Sequence, residues 1–292
     1  MARKYGALWY QTGICDAIMS STYEIRCNKD LILGLVEFWC PETNTFVFPW
    51  GEATVTLEDV MILGGKFFLL LIICLQTQEW HLHKQFLQIL YKNLTLFKHK
   101  AMSCPKQITV SGPLKLLQLW AFEHFPSLGP TIPNTLKPGE PRAARFHRLN
   151  AKINLQLVTS VLRLPDNFIW RPYIVDLKNW VHPSYYKQTQ LITFDCNDRD
   201  EDLKSFGKCL YASMLVGLDC KEEYFPRRVA MQLGYDQDLP DAFPVCSIPL
   251  EKVRFAVLPR SFKPCVSVRY FNWWTKLIST RKTALLKEMY LM

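Results

Sequence analysis

A chain of 292 residues with an apolar fraction of 49% holds enough non-polar material for a substantial core, which excludes disorder as the default and leaves room for one large domain or two small ones. The formal charge is +9, unevenly placed: six lysines and no carboxylate lie between His81 and Lys115, and nine basic residues face only Glu288 from Lys252 to Met292. Segments 81–115 and 252–292 are therefore the candidates for contact with nucleic acid or another polyanion, weighed against the commoner solvated lysine face.

The ten cysteines include no Cys-x-x-Cys pair, and their spacing matches no zinc ribbon or finger, so reduced and mostly buried thiols are expected. The opening MARKYGALWY lacks the charged start, apolar run and small-residue cleavage site of a secretory signal. With unpaired cysteines, this reads as an intracellular protein.

Along the chain, Ile14, Ala17 and Ile18 predict a short helix over 13–21. Asn28 caps a helix over 29–40, which Pro41 ends because proline cannot donate a backbone hydrogen bond and disfavours a helical residue before it. The stretch TFVFPWGEATVTLED then reads as a hairpin over 45–56 feeding a capped helix. Thr45 and Val47, then Thr54 and Thr56, follow the two-residue period of strands, with Pro49, Trp50 and Gly51 at the turn. The Thr56 hydroxyl suits the first free amides of the next helix, Asp59 completes a variant capping box, and Glu58 and Asp59 suit the helix dipole. Gly64 and Gly65 close that helix.

Nine apolar residues from Phe67 to Leu75 fall short of the about 20 a membrane span needs, which predicts a buried helix or strand and no membrane partner. Helices follow over 81–99, with Phe86, Leu90 and Leu94 on one side, and over 113–125, started by Pro113 and burying Leu116, Leu117, Trp120 and Phe125. Dense prolines and glycines over 127–141 mark a loop and a loose division of the chain. Further expectations are a helix over 143–164, irregular chain over 166–183, an acidic loop over 195–202 and helices over 201–218 and 226–233, the latter stopped by Gly234. An extended stretch over 236–263 and a basic amphipathic helix over 266–291 complete the chain. The predicted class is mainly helical α+β with at least one β-hairpin.

Several groups tempt a chemical reading. His81 and His83 form a His-x-His pair, but on a helix the two diverge and no further ligand is near, so a metal site is not expected. Glu52, Glu58 and Asp59 are close in sequence, yet a turn and a helix first turn use carboxylates without reacting. Arg227 and Arg228 open the 226–233 helix, with Gln232 on it and Gln237 beyond. Their setting among Tyr224, Phe225, Val229 and Leu233 favours an inward clamp on Glu52 or Asp59 over a phosphate contact. Trp273 and Trp274, with Tyr270, Phe271, Leu277 and Ile278, form an aromatic face beside Arg269 and Lys276. Packing is its default role, and a nucleic-acid or partner surface the alternative.

Four pieces carry a resemblance: residues 13–65, GICDAIMSSTYEIRCNKDLILGLVEFWCPETNTFVFPWGEATVTLEDVMILGG; PLKLLQLWAFEHFP; YFPRRVAMQLGYDQDLP; and VSVRYFNWWTKLI. In this order they resemble the plant mobile domain, often labelled aminotransferase-like and found in proteins of the MAINTENANCE OF MERISTEMS type and in plant transposons. The resemblance marks Trp39, Trp50, Gly51, Glu52, Thr56, Glu58, Asp59, Trp120, Arg227, Arg228, Gln232, Gln237, Trp273 and Trp274 as signature residues. It implies one domain over 1–292 of a plant nuclear protein serving meristem maintenance, genome integrity and transposon silencing, alongside a phosphatase-like partner. The label would imply pyridoxal phosphate, whose enzymes need a Schiff-base lysine, an acid at the pyridine nitrogen and a glycine-rich phosphate cup. Nothing in the chain assembles those parts, so neither cofactor nor catalysis is expected. Residues 66–112 do not resemble the family, as a missing exon or retained intron would explain, leaving this copy incomplete.

Overall fold

The computed structural model describes residues 23–64, 79–103, 114–187, 190–194, 200–216, 220–241, 255–261 and 263–290. The expected helix over 13–21, the apolar run Phe67–Leu75 and the acidic stretch 195–199 lie outside them.

Asn28 starts helix α1 (Lys29–Phe38) by accepting from the Leu31 amide at 2.9 Å. The helix ends two residues earlier than predicted because Trp39 and Cys40 are extended and pair antiparallel with Phe46 and Thr45. They form β1 (Trp39–Cys40), so the hairpin of β2 (Thr45–Phe48) and β3 (Gly51–Ala53) is part of a three-stranded sheet ordered β1-β2-β3. β3 stops before Thr54 and Thr56, which had been expected to extend it. Helix α2 (Leu57–Gly64) follows, capped reciprocally: the Thr56 amide donates to Asp59 Oδ2 at 2.7 Å and the Asp59 amide to Thr56 Oγ1 at 3.2 Å.

Helices α3 (Glu79–Ser103) and α4 (Leu114–His124) pack on α2. Leu90, Leu94, Leu116, Leu117, Trp120 and Phe125 are buried as their spacing predicts, with Phe86 partly buried against the same core. The loop after α4 contains a 3-10 turn at Pro126–Leu128.

Two predicted helices are overturned. The expected helix over 143–164 is a 3-10 turn at Arg142–Phe146, a non-helical stretch, and then helix α5 (Leu155–Leu162). The Arg148 amide donates to Glu24 O at 2.8 Å and Arg148 takes φ 56°, while Asn154 caps α5. A left-handed residue whose amide bonds a distant loop, and a side chain that caps the next helix, break a helix that periodicity alone would continue. The helix over 201–218 shortens to α6 (Glu201–Cys209), because Ser213–Val216 (β5) turns back onto Lys221–Tyr224 (β6) in a second hairpin. Leu215 and Tyr224 are the inward residues of that pair, and Tyr224 Oη donates to Cys209 O at 2.8 Å, tying the hairpin to the end of α6.

A third pairing joins β4 (Ile192–Phe194) to β7 (Phe255–Val257). The Pro226–Leu233 segment is a kinked 3-10 helix ended by Gly234 at φ 86°, and α7 (Val268–Tyr290) closes the described chain. The result is mainly helical α+β. One apolar cluster runs from Ile25 to Val257, and its aromatic centre includes Phe46 against Trp120 at 5.4 Å and Phe48 stacked on Trp50 at 4.8 Å. α1 crosses α5 where a Cβ on Gly34 would overlap Val158 Cγ1, so the close approach requires a residue without one.

Candidate functional site

The hairpin and the start of α2 act as a hub onto which later segments dock. Trp50 Nε1 donates to Leu162 O at 2.9 Å beyond the turn, and Trp274 Nε1, from α7, donates to Pro49 O at 3.3 Å. Gln232 completes the hydrogen bonding of Thr54 by accepting from its amide at 2.8 Å and donating to its carbonyl at 2.9 Å, standing in for a strand partner. Gln237 accepts from the Ala230 amide and donates to Arg227 O, both at 2.9 Å, while its backbone pairs with Cys265 and Ser267 ahead of α7. Trp39 Nε1 donates to Thr95 Oγ1 at 3.1 Å, Trp120 is fully buried, and Gly51 opens β3 opposite Phe48.

Each hub carboxylate is buried and met by a group distant in sequence. Glu52 Oε1 accepts from Arg228 Nη2 at 2.8 Å, Arg228 Nε at 3.2 Å and Thr45 Oγ1 at 3.0 Å. The expected arginine clamp therefore holds Glu52. Asp59, the other partner considered for it, instead accepts from Thr56 on one oxygen and from Tyr173 Oη at 2.7 Å and His124 Nε2 at 3.1 Å on the other. His124 Nδ1 faces the Ile169 carbonyl at 2.8 Å. Both ring nitrogens thus face oxygen atoms, the Asp59 carboxylate on one side and a backbone carbonyl on the other. Glu58 meets Arg260 Nη2 at 3.3 Å, and that guanidinium lies 4.3 Å from the Tyr186 ring centroid and 4.4 Å from that of Phe206. Burial pushes the Glu58 carboxyl above its ordinary range against the opposing pull of Arg260.

A carboxylate, an imidazole and a phenol in sequence resemble a proton relay, but Asp59, His124 and Tyr173 are each at most 2% exposed. A group acting on substrate must be reached by it. The arrangement is built for holding. Arg227 stands apart, exposed and paired with Asp241 at 3.3 Å. In α7 the inward face is Tyr270 and Trp274, Trp273 is half-buried, and Phe271 points outward at 60% exposure, a departure from the single aromatic face predicted. His83 is buried on α3, which pushes its imidazole down to about 4. Among the described residues no group of three His, Cys, Asp or Glu is placed to hold a metal, and no helix is long and apolar enough to cross a membrane.

Sequence reading missed Glu123, His124, Arg142, Arg145 and Arg260. The charged pair within the apolar helix PLKLLQLWAFEHFP was the available signal for the first two. Arg142 Nη2 and Arg145 Nη1 both reach Glu123 at 3.0 Å, and Arg142 also donates to Pro172 O at 3.0 Å. These arginines line a cavity of about 590 Å³ walled by Phe122, Phe146, Pro130, Pro133 and Pro172 among others. A smaller one of about 180 Å³ shares Pro133, Arg145 and Leu177 with it and adds Lys178.

The sequence that builds this scaffold matches a known family: the plant mobile domain model covers residues 13–70 and 66–275, and the chain belongs to that family. The two matched segments overlap over 66–70, at the start of the apolar run, and the second passes through 66–112. Among relatives from Arabidopsis thaliana, Protein MAINTENANCE OF MERISTEMS is 54% identical over 41 residues, 14% of this chain and 9% of that protein. Serine/threonine-protein phosphatase 7 long form homolog is 58% identical over 41 residues, 14% of this chain and 3% of its own length. Protein MAIN-LIKE 2 is 56% identical over 41 residues, 14% of this chain and 6% of that protein. The chain thus matches under a tenth of each. No solved structure matches.

Proposed function

We propose that this chain is a non-catalytic plant nuclear protein that works by binding other proteins, in support of meristem maintenance, genome integrity and transposon silencing. The observation that carries this reading is the fate of the signature side chains. Glu52, Glu58, Asp59, Arg228, Gln232 and Gln237 are all engaged with other side chains or with backbone inside the fold, leaving the outer surface for partners. The name of one relative makes a phosphatase-like protein the first partner to look for. On this reading residues 1–292 form one plant mobile domain, loosely divided at 127–141 and altered at 66–112. Sequencing the transcript across 66–112 tests that last point, and an uninterrupted coding junction defeats it.

Affinity purification of the tagged protein from plant nuclei, with and without nuclease, tests the function. A defined protein partner that survives nuclease is expected. Recovery that collapses with nuclease and falls steeply with salt would favour the second reading, nucleic-acid binding through 81–115 and 252–292, for which the outward Phe271 and exposed Lys276 on basic α7 speak. A Schiff base fixed to a lysine by borohydride after incubation with pyridoxal phosphate would overturn the non-catalytic reading.

A further inference from the structure

Beside Glu123 the charges do not balance. Arg228 and Arg260 each answer a hub carboxylate, whereas Arg142 and Arg145 converge on Glu123 alone. One carboxylate neutralises one guanidinium, so a positive charge is left over at the wall of the 590 Å³ cavity. Arg145 spends only Nη1 on Glu123, and its Nε and Nη2 have no acceptor among the described residues. Arg142, 2% exposed, keeps a buried Nε with no partner. The nearby acids are committed elsewhere: Asp176 to His182 at 2.6 Å, and Glu140 to the Lys137 amide at 2.8 Å.

Arg145 stands where the two cavities meet, with Lys178 in the smaller one. On the wall of the larger cavity, Val175 is 58% exposed and Ile169 is 44% exposed. Exposed apolar side chains around a cationic depression are the anatomy of an interface. The prolines of the wall pre-set its shape and lower the entropy lost on binding.

We propose that this groove docks an extended acidic segment of a partner protein, placing an Asp or Glu carboxylate on the free fork of Arg145 with apolar residues over Ile169 and Val175. The proposal rests on the protein-binding reading above. Two adjoining cavities that share Arg145 suit a chain of alternating side chains better than a compact metabolite, and a planar fork suits a carboxylate.

The test measures fluorescence anisotropy of a labelled peptide pool, with a fixed central Asp flanked by Leu, Ile, Val and Pro, added to the full chain. The control pool carries Asn at the centre. The Asp pool is expected to bind at least about tenfold more tightly, the scale of one charge-assisted hydrogen bond, and to weaken with salt. Arg145→Met should lose that preference. Val175→Asp, on an exposed side chain of the groove wall, should repel the Asp pool by at least about tenfold with melting unchanged, and carries the test if the Arg145 variant does not fold. Equal affinity for the two pools, no binding of either, or wild-type affinity in Val175→Asp overturns the proposal. If nuclear extracts yield the same nuclease-resistant partner with Val175→Asp as with wild type, the groove is wrong and the protein-binding reading stands; no such partner even with wild type sinks the broader reading.

Discussion

Truncating Arg228 to alanine removes both guanidinium contacts to Glu52 Oε1 and leaves only Thr45 Oγ1 bonded to that atom, while Oε2 already has no partner. The Glu52 side chain is 1% exposed and that of Arg228 17%, so the carboxylate stays in a dry site and a little water enters from the arginine side. Breaking one partner of a buried pair costs about 3–5 kcal/mol, and partial water access places this case near about 3. At about 2–4 °C per kcal/mol for domains of 150–250 residues, melting should fall by about 6–12 °C. Circular dichroism melts of wild type, Arg228→Ala, Glu52→Gln and the double variant form a cycle, in which Glu52→Gln should recover much of the loss by removing the stranded charge. A melting temperature unchanged in Arg228→Ala would refute the clamp, and joined to lost nucleic-acid binding it would assign Arg228 to phosphate.

Gly34→Val should cost about 1–3 kcal/mol in urea unfolding, because its new carbons collide with Val158 at the α1–α5 crossing. Thr56→Ala should cost about 1 kcal/mol by the same measurement, since it removes the acceptor for the Asp59 amide. His83 is depressed by burial from its ordinary 6.5 to about 4, so the folded state binds its proton less readily than the unfolded. Its contribution is present above pH 6.5 and lost as pH falls towards 4, amounting to about 3 kcal/mol at most, and His83→Gln should flatten that limb of a stability-versus-pH curve. Burial raises the Cys209 thiol well above its usual range while Cys265 is exposed, so iodoacetamide should label Cys265 in the native protein and Cys209 only after denaturation.

What could be read from the sequence was local. The Asn28 cap, the capping box of Thr56 and Asp59, the turn at Pro49 and Trp50 and the stop at Gly234 are settled within four residues of chain, by side chains bonding their own backbone or by the conformation glycine allows. The buried faces of α3 and α4 are equally local, since period alone decides which residues turn inward. The choice of partners is not. Arg228 and Arg260 sit 176 and 202 positions from Glu52 and Glu58, and nothing in spacing pairs them that way round or sends Asp59 to His124 and Tyr173. The β5–β6 hairpin was likewise beyond periodicity, because Leu215 and Tyr224 turn inward only against a core built by other segments. Chain-local forces set where elements begin and end, whereas burying a charge is tolerable only once the whole fold delivers its counter-charge, and that delivery, together with the arginine left over beside Glu123, belongs to the tertiary structure.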